Sequence, residues 1–131
     1  MSVEMIKNFL IINFIGDKDK LVLRVNKNFF IYNLDSKKNN KEQLVSEISR
    51  FLNSHNVVLN EEFSVIVNQG PGSFSGIRIS LAIAKGLEIS KKVKLYAYNS
   101  KNLKDFDQVN IEKMLKKNLI EKKLIKPVYL S

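Results

Sequence analysis

The chain of 131 residues contains no cysteine and no tryptophan, one histidine and two prolines. Without cysteine there is no disulfide framework, no thiolate nucleophile and no Cys-ligated zinc or iron–sulfur site. The single histidine, His55, excludes the paired-histidine metal motifs; standing alone at a helix end, it reads as a partly exposed polar residue. Arginine is scarce as well: of 22 basic residues only Arg24, Arg50 and Arg78 are arginine. Readers of nucleic acid favour that planar fork. The net charge of +9 is therefore read first as lysine-rich composition and only second as attraction to an anionic partner. Long apolar runs are also missing. The stretch 9–15 is interrupted by Asn13 and is far shorter than the roughly 20 residues that span a bilayer. No membrane contact is expected, no targeting segment is visible, and the chain reads as cytoplasmic.

What is present is a globular composition, 44% hydrophobic and 27% charged, with enough length for one domain and a core. Phe9-Leu10-Ile11-Ile12 is continuously apolar, as in a strand buried on both faces. The runs at 20–25 and 28–32 flank Asn26-Lys27 and predict a tight hairpin. Leu44, Val45, Ile48, Phe51 and Leu52 fall at helical spacing over 41–54, after a polar loop at 37–41. Strands follow at 63–67 and 93–98, with a helix over 75–90 between them. Ile111, Met114, Leu115 and Leu119 suggest a shorter last helix, and Lys126-Pro127-Val128-Tyr129-Leu130-Ser131 an extended tail. The order β-β-β-α-β-α-β-α, with a mixed five-stranded sheet, matches an α/β, ribonuclease H-like single lobe of the actin-like ATPase kind.

Three of the five glycines crowd into Gly70-Pro71-Gly72-Ser73-Phe74-Ser75-Gly76-Ile77-Arg78. The spacing fits neither G-x-G-x-x-G nor a Walker A loop. It supports a tight strand-to-helix turn, with an anion site at the helix start or a partner surface as alternatives. Ser75 is the expected N-cap, with Phe74 and Ile79 as a hydrophobic staple. At 100° per residue, Ile79, Ala82, Ile83, Gly86 and Leu87 cover one side of helix 75–90, and Ile77, Leu81 and Ala84 the other. A helix apolar nearly all round needs more cover than one sheet provides, either from a neighbouring helix or from another chain.

These residues resemble the TsaB (YeaZ) family, whose pattern GPGSFTGLRIG is followed by A-x-A-K-G-L. Here the stretch runs from Gly70 to Ile79, then Ala82-Ile83-Ala84-Lys85-Gly86-Leu87. The core of the likeness is 63–98. It extends more weakly to Phe9-Leu10-Ile11-Ile12-Asn13, to 42–48, and to Pro127-Val128-Tyr129-Leu130, which resembles P-x-Y-L-R. The resemblance implies residues 1–98 as the amino-terminal lobe and 99–131 as the remnant of a second. It implies a non-catalytic subunit that activates a TsaD-like enzyme in transferring a threonylcarbamoyl group to the adenosine beside the tRNA anticodon. A TsaE-like ATPase would be a further partner. The helix 75–90 would serve the TsaD-like contact or a homodimer, with tRNA touched weakly or indirectly. Partner contact is then expected of Gly70, Pro71, Gly72, Ser73, Phe74, Ser75, Gly76, Ile77, Arg78, Leu81, Ala84 and Lys85. No catalytic residue, cofactor or metal is expected.

The sequence departs from the family's pattern in three ways. Only residues 99–126 stand between the fifth strand and the closing Pro127-Val128-Tyr129-Leu130, where the family has most of a second lobe; the acid that ends the first strand is Asn13, with Phe14-Ile15 in place of small polar residues; and Ser131 replaces the closing arginine. With neither that acid nor a two-lobed cleft, independent ATP hydrolysis is not expected. Two rivals stand beside this reading. One is a hydrolase or ATPase using the glycine-rich loop. The other is a small RNA-binding module built on Lys37-Lys38, Lys91-Lys92-Lys94, Lys113-Lys116-Lys117 and Lys122-Lys123.

Overall fold

The computed structural model describes residues 7–35, 41–117 and the backbone of 120–121. The loop expected at 37–41, Leu119, Lys122-Lys123 and the tail at 126–131 lie wholly or largely outside the described residues. In order, the elements are β1 (Phe9–Asn13), β2 (Lys20–Val25), β3 (Asn28–Asn33), α1 (Lys41–Ser54), β4 (Ser64–Asn68), α2 (Phe74–Lys91), β5 (Lys94–Tyr98), α3 (Gln108–Lys116) and β6 (Ile120–Glu121). A 3-10 turn at Ser100–Asn102 lies between β5 and α3.

The strands form one mixed sheet in the order β3-β2-β1-β4-β5-β6. β1, β4 and β5 are parallel neighbours, and β1-β2-β3 is an antiparallel meander. Five strands and three helices carry the fold. The sixth strand, two residues paired antiparallel to β5, is too short to leave a periodic pattern in the sequence.

β1 lies inside the sheet and is buried along its whole length. Its side chains alternate between two cores, as the period of a strand requires. Leu10 and Ile12 join Val65, Val67, Leu95 and Ala97 under α1 and α2. Phe9 and Ile11 join Ile66, Tyr96, Leu103, Ile111 and Met114 under α3. Asn26 and Lys27 both take positive φ, 52° and 69°, which is the geometry of a two-residue hairpin turn. His55 is partly exposed, and its ring stacks on Phe30 at 3.8 Å.

Candidate functional site

Parallel pairing brings the carboxyl ends of β1, β4 and β5 together, and each ends in a polar group. Asn68 Nδ2 donates to Asn13 Oδ1 at 2.7 Å, and the Tyr98 hydroxyl donates to the same oxygen at 3.3 Å. Asn13 Nδ2 donates to the Lys18 carbonyl at 3.0 Å. Asn68 Oδ1 accepts from Gly70 N at 2.8 Å and lies 3.0 Å from Ser100 Oγ. That hydroxyl also lies 2.8 Å from the Pro71 carbonyl, and its one proton serves one oxygen at a time. Burial pushes the Tyr98 phenol well above its ordinary pKa, so it stays a neutral donor. Beside the cluster, Asp19 is buried and accepts from the backbone of Ile15 and Gly16 at 3.0 and 2.9 Å.

A depression of about 430 Å³ opens over this cluster, with Lys18, Lys101 and Lys104 among its lining residues. Its buried polar floor is largely spent on internal hydrogen bonds. Asp17 is the only carboxylate among the lining residues. Among the described residues, no three His, Asp or Glu side chains gather closely enough to hold a metal ion, and no helix is long and apolar enough to cross a membrane.

The glycine-rich loop is pinned from both sides of the cluster. Ser73 N donates to the Ile15 carbonyl at 2.8 Å, and Ser100 N donates to the Gly70 carbonyl at 2.8 Å. A Cβ at Gly72 would stand 2.6 Å from Ile15 Cβ, and one at Gly76 would collide with the Phe14 carbonyl oxygen. Gly70 takes φ +106°, a region side chains rarely enter. The loop therefore needs its glycines for close packing, which is the tight-turn reading of the motif.

The N-cap of α2 is Ser73, whose Oγ accepts from Gly76 N at 3.4 Å. This corrects the expectation of Ser75. The helix starts two residues earlier because the Ser73 hydroxyl reaches the third helical N–H. Phe74 is then the first helical residue, so the Phe74–Ile79 staple has no place. Its ring is half exposed and lies under the Arg78 guanidinium at 5.2 Å.

Gly76, Ile77, Ser80, Leu81 and Ala84 form the buried side of α2, while Ile79, Ile83 and Leu87 pack half-buried against the same core. Ser80 is tolerated inside because its hydroxyl bonds back to the carbonyls of Gly76 and Ile77, at 3.0 Å each. The chain's own core thus covers Ile77, Leu81 and Ala84, and the loop's packing encloses Gly70, Gly72 and Gly76. Of the residues expected to meet a partner, these six are buried among the described residues.

The same stretch leaves Phe74, Ser75, Arg78 and Lys85 exposed, with Pro71 and Ser73 partly so. Ala82 and Gly86, small residues one turn apart, and Ile89 share this exposed side. At 100° per residue all seven helical positions fall within an arc of about 120°. A Cβ at Gly86 would meet nothing within 4 Å.

These features define a class of protein: a mixed-sheet α/β lobe whose parallel strand ends are closed by a glycine-rich turn leading into a half-exposed helix. The family model for TsaD, tRNA N6-adenosine threonylcarbamoyltransferase, matches residues 34–103, more than half of the chain. The tRNA threonylcarbamoyladenosine biosynthesis protein TsaB of Buchnera aphidicola subsp. Baizongia pistaciae is 38% identical over 60 residues, 44% of this chain and 27% of that protein. Its counterpart from subsp. Schizaphis graminum is 31% identical over 84 residues, 63% of this chain and 40% of that protein. YeaZ from Pseudomonas aeruginosa superposes with a TM-score of 0.63 at 18% identity, over 76% of this chain and 44% of that one. The chain belongs to the TsaB/YeaZ family, and the stretches that match cover well under half the length of the curated relatives.

Proposed function

We propose that this chain is a non-catalytic, cytoplasmic subunit that binds and activates a TsaD-like enzyme in threonylcarbamoyl transfer to the adenosine beside the tRNA anticodon. In this reading residues 1–98 are a ribonuclease H-like lobe of the actin-like ATPase kind, and 99–131 belong to a second. One observation carries the reading, the outer face of α2. Phe74, Ala82, Gly86 and Ile89 are exposed there on the same side as Arg78 and Lys85. Ile89 is 71% exposed and the space over Gly86 is open. Small residues let another backbone approach, and the two cations set its register. A TsaE-like ATPase would be a further partner.

The hydrolase reading needs a reactive constellation, whereas the amides at the strand ends hold each other. Arg78→Glu lies on exposed surface and leaves folding stability within about 0.5 kcal/mol. The wild-type chain is expected to retain a TsaD homologue on a sizing column and the variant to lose it. Failure of the wild-type chain to associate, or ATP turnover by the isolated chain that is lost on changing Ser73, would overturn the reading.

A second reading has one observation of its own. Lys101, Lys104, Lys113 and Lys117 surround a hollow of about 210 Å³ between the 3-10 turn and α3, as a site for an RNA backbone would require. Salt-sensitive tRNA binding by the chain without any protein partner would favour it.

A further inference from the structure

We infer that the α3 side of the sheet, over β2 and β3, binds a single-stranded segment of RNA. Three cross-strand pairs face that side: Arg24 with Phe29, Val22 with Ile31, and Lys20 with Asn33. They share it with Phe9 and Ile11, which pair with Arg24 and Val22 across β1. Val22 is buried in the core under α3, whereas Ile31 beside it is 49% exposed. Cover from α3 and the segment before it gives out between the two strands.

Each end of this surface carries a cation over an aromatic ring. The Arg24 guanidinium lies 5.6 Å from the centre of the Phe29 ring, and Lys20 Nζ lies 5.1 Å from that of Phe106. Both rings are partly exposed and rest on the same core, with Phe29 edge-on to Phe9 at 6.0 Å. The two cations are four residues apart on one strand, about 13 Å. Rings for bases and cations for phosphates are what a single strand requires. At an exposed site a cation–π contact is weaker than a base stacked on the same ring. Arg24 Nε is also buried with no hydrogen-bond partner among the described residues, and an unused buried donor is costly. A base that takes the Phe29 ring turns the guanidinium out to the neighbouring phosphate, where its donors are used.

Charge selects the same occupant. The three pairs contain no carboxylate. Of the two carboxylates beside Phe106, Asp107 is spent on the α3 cap, accepting from Asn110 N at 2.8 Å, and Asp105 lines the lysine hollow. Phe106 also lines the strand-end depression with Lys101 and Lys104, so a strand leaving that ring meets further cations. An acidic peptide would use the cations but not the rings. Asn33 is exposed beside Lys20. Its carboxamide both donates and accepts, which suits the 2′-hydroxyl that sets RNA apart from DNA. This inference is independent of the enzyme contact, because it uses the side of the sheet away from α2. It also goes beyond the lysine hollow, which offers phosphates a site but bases none.

The test is fluorescence anisotropy of the full chain with a short labelled oligouridine over a series of salt concentrations. The wild type is expected to bind. Arg24→Gln and Lys20→Gln should each flatten the dependence of log affinity on log salt by about 0.7. Phe106→Leu should weaken binding at least about fivefold and leave that slope unchanged. Arg50→Gln, an equal loss of charge on exposed α1 surface, should alter neither. On the wild type, ultraviolet crosslinking read by mass spectrometry should place the RNA on Phe29 or Phe106, which decides the question even if a variant fails to fold. Four results would overturn the inference: no binding; binding matched by duplex RNA, oligodeoxyuridine or polyglutamate; crosslinks confined to other residues; or a slope that changes with Lys113→Gln and not with Arg24→Gln.

Discussion

The two glycines of α2 face opposite demands. At Gly76 the helix start is pressed so closely onto the turn after β1 that a methyl group would strike the Phe14 carbonyl oxygen. Ten residues on, a methyl group at Gly86 would meet nothing within 4 Å among the described residues. The first glycine is explained completely by the chain's own packing. The second is not, because glycine in an exposed helix interior is unfavourable relative to alanine and is here not required by any neighbour. One end of the helix is thus built for the fold. The other carries a cost in stability with no internal reason among the described residues, and the proposed partner contact would supply one.

That contrast breaks first at Gly76. Gly76→Ala has to displace backbone, not a flexible side chain, and is expected to cost about 3 kcal/mol or more, or to prevent folding. Urea unfolding measures it; a loss below about 1 kcal/mol would mean that the loop yields easily and that the tight-turn account is wrong.

Next in size is the amide cluster beneath the loop. Asn68→Ala leaves the Gly70 N–H and part of the Asn13 carboxamide without their bonds. Each abandoned buried group costs about 1–3 kcal/mol, so a loss of about 2–3 kcal/mol is expected. Thermal unfolding reads it directly. A near-neutral result would show that water replaces the amide and that the strand ends are less closed than their hydrogen bonds imply.

Gly86→Ala should have the opposite sign to Gly76→Ala. The isolated chain is expected to gain about 1 kcal/mol of stability. In the same variant, capture of a TsaD homologue should weaken, because the added methyl group fills space the partner's backbone would take. A gain in stability with unchanged capture would remove Gly86 from the contact surface and leave the contact to Phe74, Arg78 and Lys85.

Much of this architecture was legible in the chain. The strands, the hairpin at Asn26-Lys27 and the helix over 41–54 follow from period and turn chemistry, which are local properties. The start of α2 was misread because Ser73 and Ser75 are equally good caps on paper. Only the anchoring of Ser73 N on the Ile15 carbonyl, a contact distant in sequence, decides between them. The partition of the helix between inside and outside is non-local in the same sense. Ile77, Leu81 and Ala84 look no more inward than Ala82 and Gly86 on a helical wheel, and the sheet chooses between them. Asn13 and Asn68 left a signal that was readable in retrospect: each closes an apolar run at the same end of two parallel neighbours. Their partners Tyr98 and Ser100 could be found only after the sheet order was known.

The smallest effect tests whether the strand-end cluster is as dry as its hydrogen bonds suggest. Tyr98 is fully buried, and burial raises its pKa from the ordinary 10.0. Tyr98→Phe loses one weak hydrogen bond to an oxygen that Asn68 still satisfies, so at neutral pH it should cost only about 0.5–1 kcal/mol. In the folded wild type the phenol stays protonated where the unfolded chain already ionises. Its contribution is therefore complete below about pH 10 and is lost as the pH climbs above that, at up to about 1.4 kcal/mol per pH unit. The Phe variant lacks this loss. Tyr32 and Tyr96 are also raised, the first chiefly by its hydrogen bond to Glu47 and the second by burial; they remain in both proteins and cancel in the difference. Stability curves measured between neutral pH and about pH 11 should therefore converge and then cross. Parallel curves would mean that the Tyr98 phenol ionises as freely in the fold as outside it, and that the strand ends on this side are open to water.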